Sequence, residues 1–136
     1  MISVIIPTYN ESENILNVCG MVSEVLTELG EPFEVLVMDD DSPDRTSDIV
    51  NQSVIPHVRS INRKGKARGL SAAVIDGFEA AKGDKIAVMD ADLSHPPELL
   101  KKMADALNHA GIELAVGSRY VRGGGSEGWP AHRVMA

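Results

Sequence analysis

Short runs of β-branched and apolar residues alternate along this chain with stretches in which apolar residues recur at spacings of three and four. Ile2-Ser3-Val4-Ile5-Ile6 stops at Pro7, and Val35 to Met38, Val54 to Ile61, Ile86 to Met89 and Leu114 to Val116 repeat that first pattern, which predicts five strands. Between them, Ile15, Val18, Cys19, Val22, Val25, Leu26 and Leu29 make one helical stripe. Leu70, Ala73, Val74, Gly77, Phe78 and Ala81 make a second, and Leu99, Leu100, Met103 and Leu107 a third. Asn10 with Glu13 three residues on, Ser42-Pro43 and Pro96-Pro97 mark helix starts, while Gly30 and Gly83 suit helix ends. Strands that are nearly continuous apolar runs, alternating with amphipathic helices, belong in a parallel sheet covered on both faces. The expected fold class is α/β and Rossmann-like, a mostly parallel sheet with helices on both faces.

Length and composition add bounds to this. The chain has 136 residues, enough for one core, and its 43% hydrophobic and 24% charged residues exclude a disordered, collagen-like or disulfide-stapled protein. We read residues 1–136 as one domain, cut short on its C-terminal side: Gly123-Gly124-Gly125-Ser126 reads as a loop, after which Trp129, Arg133 and Val134 suggest a further element. Acidic residues outnumber basic ones by 20 to 13, a net charge of −7. Such a field repels polyanions, so no nucleic-acid partner is expected, and a phosphate ligand would need a bound cation or a few placed Arg and Lys side chains. The single Cys19 has no disulfide partner and sits in an apolar stripe, pointing to a buried thiol and a reducing compartment. No apolar run approaches the roughly 18 residues of a membrane span, and no basic leader precedes the first strand.

In an open α/β sheet, ligands bind outside the carboxyl ends of the strands, so the residues that follow each strand carry the functional signal. Pro7-Thr8-Tyr9-Asn10-Glu11 follows the first, Asp39-Asp40-Asp41 the second and Asp90-Ala91-Asp92 the fourth. Carboxylates this close raise each other's pKa unless a cation or hydrogen-bond donors join them. Asp90 and Asp92 offer the hard oxygen ligands that Mg2+ or Mn2+ takes together with water and substrate phosphates, which implies a substrate carrying a diphosphate. The same aspartates could instead cap turns. Tyr9 could be core, or could stack on a base. Arg119, in Val116-Gly117-Ser118-Arg119-Tyr120, could hold phosphate charge or simply be exposed. The basic run Arg63-Lys64-Gly65-Lys66-Ala67-Arg68-Gly69 could neutralise phosphates or be solvated.

Five segments together resemble one family: VIIPTYNE (4–11), DDDSPDRT (39–46), RKGKARGLSAAVIDGF (63–78), MDADLSHPPE (89–98) and GSRYVRGG (117–124). In order and spacing they are similar to glycosyltransferase family 2 and, within it, to the polyprenyl-phosphate (dolichyl-phosphate) mannosyltransferases. The resemblance spans essentially the whole chain. It implies a GT-A type fold and an inverting transfer of mannose from the nucleotide-sugar donor GDP-mannose to a polyprenyl phosphate, with Mg2+ or Mn2+, at the cytoplasmic face of a membrane. By position it implies that Pro7, Tyr9, Glu11, Val37 and Asp39 surround the nucleoside. Asp90, Ala91 and Asp92 match the metal and diphosphate site, with Asp90 and Asp92 as metal ligands. Arg119 and Arg133 match arginines near the phosphates, and Asp92 and Arg119 are the expected catalytic pair. Ser94 stands where some relatives carry a metal-ligating Gln, which leaves the third protein ligand open.

Other classes fit less well. A dinucleotide-binding oxidoreductase needs a Gly-x-Gly-x-x-Gly turn where this chain has Pro7 to Glu11. A phosphate-binding loop of the Gly-x-x-x-x-Gly-Lys type is absent, and a non-enzymatic acidic receiver module would carry its acidic pair after the first strand. Within the family, glycosyl transfer from a UDP-sugar to a polyprenyl phosphate is the alternative.

Overall fold

A computed structural model describes residues 1–118, 120 and 122. Strand β1 (Ile2–Thr8) leads to helix α1 (Ile15–Leu29), β2 (Phe33–Asp39), α2 (Thr46–Gln52), β3 (Val58–Asn62), α3 (Leu70–Ala80), β4 (Lys85–Val88) and α4 (Leu99–Leu107). The four strands form one sheet in the order β3-β2-β1-β4, every pair parallel. This is the α/β arrangement that the alternating pattern predicts.

β1 and β2 are central strands, buried along almost their entire length, and their near-continuous apolar runs match that position. Each face of the sheet has its own core. On one, Val4, Ile6, Val35 and Val37 pack with Ile15, Val18, Val22 and Leu26 of α1 and with Leu100 and Ala104 of α4. On the other, Ile5, Leu36 and Met38 meet Ala73 of α3. That second face is thin because α3 lies very close to it: a Cβ on Gly77 would fall 2.6 Å from Ile5 Cγ2. Burying each Val, Leu or Ile contributes about 1.5–3 kcal/mol, so these layers hold the elements and leave the loops free for other work.

Several boundaries differ from the sequence expectation. Asn10 does not start α1. It lies in a left-handed turn (φ 57°), and the helix begins at Ile15 after an N-cap, Asn14, whose side chain makes no capping bond. α2 starts at Thr46 and α4 at Leu99, a few residues beyond Ser42-Pro43 and Pro96-Pro97. Gly30 ends α1 as expected, in the left-handed conformation with its N–H on the Thr27 carbonyl. Gly83 has another role: α3 ends at Ala80, and a Cβ at Gly83 would collide with the backbone of Met1 and Ser3. β3 begins at Val58, not Val54, which is 97% exposed. The expected fifth strand at 114–116 is not one; Leu114 and Val116 are exposed. A three-residue apolar run shows that a segment can be covered, not that a strand edge lies in register beside it.

Cys19 is fully buried and its thiol is pushed up to about 12 by that burial, as expected for a structural thiol. No helix among the described residues is long and apolar enough to cross a membrane.

At the opposite end of the sheet from the strand tips, Glu34 ties three elements together. Its Oε1 accepts from Ser3 Oγ (2.8 Å) and from the Lys82 N–H (2.7 Å), and Arg59 approaches Oε2 at 3.5 Å. Burial pushes the Glu34 carboxyl up, but the bonds from Lys82 and Ser3 and the charge of Arg59 outweigh it and hold the pKa below the ordinary 4.5. A folded-state pKa below the unfolded one adds stability above that unfolded value, and the contribution disappears as pH falls through the folded pKa. Glu34→Gln is therefore expected to be less stable than the wild type at pH 7, and the gap should close as pH drops below about 4.5. Urea midpoints measured from pH 7 to pH 3 check this; a gap that stays constant with pH would refute it.

Candidate active site

The strand order makes the site. From β1 the chain moves outward through β2 to β3, then returns to the other side of β1 with β4. The reversal lies between β1 and β4, and it is at such a reversal, outside the carboxyl ends of the strands, that sheets of this kind bind ligands. β4 is also shorter. Its last pair is Ile5↔Val88, whereas β1 and β2 stay paired through Ile6, Pro7 and Thr8 to Thr8↔Asp39. The sheet edge is therefore stepped, its pairing ending three residues earlier on the β4 side. Tyr9 stands on the upper level, and Asp90 to Asp92 leave from the lower one.

Asp39 anchors the upper level from inside. It is fully buried, and its Oδ1 accepts from Thr8 Oγ1 (3.1 Å) and Ser42 Oγ (2.6 Å) while Oδ2 accepts from the Ser42 N–H (3.0 Å). Its carbonyl accepts from the N–H groups of Arg63 (2.7 Å) and Asp41 (2.9 Å). From this point the loop after β1 is fastened to the loop after β2 by three successive backbone donors: Asn10 to Ser42 Oγ, Glu11 to Thr46 Oγ1 and Ser12 to Asp44 Oδ2. Burial works against the Asp44 charge, but bonds from Thr46 and Ser12 prevail and keep its carboxyl below the ordinary range. These donors hold Tyr9 out over the rim, 49% exposed.

Of the other residues expected around a nucleoside, Pro7 and Glu11 are partly exposed, while Val37 and Asp39 offer no exposed side chain. Both lie beneath the rim and shape it. On the lower level, Asp90 and Asp92 are exposed on either side of buried Ala91. Asp92 Oδ1 accepts from the Ser94 N–H at 2.9 Å. Bonds from Ser94, side chain first and then backbone, hold the Asp92 carboxyl below its ordinary value, against the effect of its partial burial and with the charge of His95 adding a little. Leu93 adopts φ 59° in this turn, a conformation that a branched side chain rarely takes. Such strain concentrates at working sites. Arg119 and Arg133 lie outside the described residues.

The basic run after β3 is not the solvated loop that its composition suggests. Arg63 is buried, with its guanidinium paired to Asp40 and Asp76 and donating to the Ala67 carbonyl at 2.8 Å. Burial opposes the Arg63 charge, but Asp76 and Asp40 more than restore it and raise its pKa. Asp40 Oδ2 also accepts the Gly69 N–H at 2.7 Å. The loop is thus pinned at both ends to the tip of β2, and Arg68 within it places its guanidinium 5.2 Å from the centre of the Tyr9 ring. Neither the Asp40–Arg63–Asp76 set nor the Arg68–Tyr9 contact was visible in the residue pattern.

The sheet is Rossmann-like with carboxylates at its switch point, where α/β enzymes bind their ligands, and the chain belongs to the family described as Glycosyl transferase family 2, whose profile matches residues 3–135. Among characterised relatives, it is 46% identical over 134 residues to a dolichol-phosphate mannosyltransferase of Pyrococcus furiosus, covering 98% of this chain and 37% of that protein. It is 41% identical to a polyprenol monophosphomannose synthase of Mycolicibacterium smegmatis, covering 97% of this chain and 50% of that one. The chain thus spans half or less of the length of these relatives. Among solved structures, mannosyl-3-phosphoglycerate synthase from Rubrobacter xylanophilus matches at 26% identity and TM-score 0.55, over 68% of this chain and 30% of its own. A mannosyltransferase from Pyrobaculum calidifontis, solved with GDP-Man and Mn2+, matches at 24% identity and TM-score 0.65, over 82% and 33%. That second likeness bears on the fold and agrees with a GT-A type sheet.

Asp40→Ala leaves the enclosed Arg63 with one partner in place of two. Breaking a buried pair costs about 3 kcal/mol or more, and Asp76 keeps the loss here near the lower end. Urea unfolding is expected to show a loss of about 3 kcal/mol for Asp40→Ala and less than about 0.5 kcal/mol for the exposed Lys64→Ala; equal losses would show that the pair does not hold the loop.

Proposed function

We propose that the protein transfers mannose from GDP-mannose to a polyprenyl phosphate, with inversion at the anomeric carbon. The observation that carries this reading is the pair of exposed carboxylates, Asp90 and Asp92, that follows β4 at the switch point of the sheet. Its context is a chain 41–46% identical to two polyprenyl-phosphate mannosyl enzymes over nearly its whole length.

The donor's nucleoside rests on the upper level, against Tyr9, Pro7 and Glu11, with Val37 and Asp39 supporting that surface from below. Its diphosphate crosses the step to Asp90, Ala91 and Asp92. Two exposed carboxylates are a donor set suited to Mg2+ or Mn2+, which takes one or two carboxylates and fills its remaining positions with water and phosphate oxygens. Among the described residues no group of three or more His, Cys, Asp or Glu side chains comes together, and a diphosphate site of this kind does not require one. When bound there, the ion supplies Lewis-acid stabilisation of the departing diphosphate.

The acceptor needs little activation. A phosphate monoester has a second pKa near about 6, so its oxygen is already a nucleophile at neutral pH. It attacks the anomeric carbon, the bond from that carbon to the GDP oxygen breaks, and the electron pair leaves with GDP. The chain's own part is to orient the donor and to meet developing charge with fixed groups. By position, Arg119 and Arg133 serve the phosphates. A lipid acceptor also implies work at a membrane surface.

Two measurements test this. Thermal melts with Mg2+ or Mn2+ should rise more with GDP-mannose than with UDP-glucose, and a larger rise with UDP-glucose would overturn the mannosyl assignment. Calorimetry should show Asp92→Asn losing about tenfold or more of its metal-dependent affinity for GDP-mannose while its melt without ligand stays unchanged. Unaltered affinity would remove Asp92 from the site.

A further inference from the structure

The loop after β3 carries four cations, and the structure separates them. Arg63 is enclosed by Asp40 and Asp76, Lys66 pairs with Asp76 at 3.0 Å, and Lys64 extends into solvent. Arg68 alone of the four faces the rim, over the Tyr9 ring. It is exposed, but its backbone is not free to wander: the Gly69 N–H is held by Asp40, and the Ala67 carbonyl by Arg63. In a chain of net charge −7, this is a cation fixed at the face on which a base would stack.

A base with two adjacent acceptors needs two donors side by side. The Asp40 carboxylate that holds the Gly69 N–H accepts hydrogen bonds and cannot donate them. A guanine presents O6 and N7 as adjacent acceptors, an adenine pairs N7 with an amino donor, and a uracil has no N7. A guanidinium is the side chain whose fork matches the O6/N7 pair, and its flat face also packs on an aromatic ring. Both properties meet at Arg68. A base that stacks on Tyr9 takes the face now covered by the guanidinium, which then meets the edge of that base.

We propose that Arg68 reads the base of the donor nucleotide, donating to guanine O6 and N7 and setting the preference for guanine over adenine and uracil. This rests on the reading that the rim binds a sugar nucleotide. Arg63 and Asp40 act as positioning residues for it through the loop.

Calorimetry with GDP, 7-deaza-GDP, ADP and UDP in the presence of Mg2+, on the wild type, Arg68→Met and Arg68→Lys, tests the assignment. A bidentate base contact of this kind is worth about ten- to a hundredfold in discrimination. Both variants are expected to lose that much GDP affinity while ADP and UDP stay within about twofold. 7-deaza-GDP should bind the wild type more weakly than GDP does, and should bind Arg68→Met no differently from GDP. Arg68 is exposed, so the melts of the variants without ligand should match the wild type. Equal losses for all nucleotides would assign Arg68 to phosphate charge and overturn the proposal, as would a lysine variant that behaves like the wild type. GDP binding unchanged in both variants would sink this inference and leave the donor reading standing. A wild type that binds none of the four nucleotides would sink both.

Discussion

A carboxylate with no exposure to solvent, that of Asp39, holds the working end of this protein together. Burying a carboxyl group without partners is very unfavourable; here Thr8 and Ser42 supply three donors to it. Because those donors come from the end of one strand and the loop after another, satisfying that group also fixes the two segments against each other. The carbonyl of the same residue then receives the start of the basic loop. Three stretches far apart in the chain meet at one residue, and the surface above them is rigid because the interior beneath them is polar and fully bonded.

The division of labour between face and edge follows from this. Apolar layers on both sides of the sheet determine where the strands lie, and the order of the strands determines where the reversal falls. What stands at that rim depends on polar groups that bind one loop to another. Tyr9 projects outward because the three residues after it are tied through backbone donors to Ser42, Thr46 and Asp44. The Asp92 carboxyl lies below its ordinary pKa because the turn folds Ser94 back onto it. In both places the chemistry depends on main-chain geometry a residue or two away.

The architecture was legible in the residue pattern, and so were the exposed acidic tips. Apolar runs with β-branched residues and stripes at helical spacing are local signals, and the parallel, doubly covered sheet follows from their alternation. The family motifs marked Tyr9, Asp90 and Asp92 at the correct strand ends. The fastening between loops was not legible. Arg63 sits in a run that reads as solvated, and only folding brings it to partners 23 and 13 positions away, Asp40 and Asp76. Asn10 read as a helix cap because its spacing to Glu13 fits one, yet its N–H is taken by Ser42, 32 residues on, and the helix starts later. Val37 and Asp39 were correctly placed at the second strand's end, but their burial depends on how far that strand stays paired, which composition does not reveal.

The unequal length of neighbouring strands gives this edge its two levels. A compound that touches both levels of the sheet edge must cross from the paired tip of β1 and β2 to the turn that begins where β4 has stopped pairing. Two more residues of pairing would draw Met89 and Asp90 into the ladder beside Ile6 and Pro7, so the length of β4 decides whether the first acidic residue belongs to the strand or to the turn.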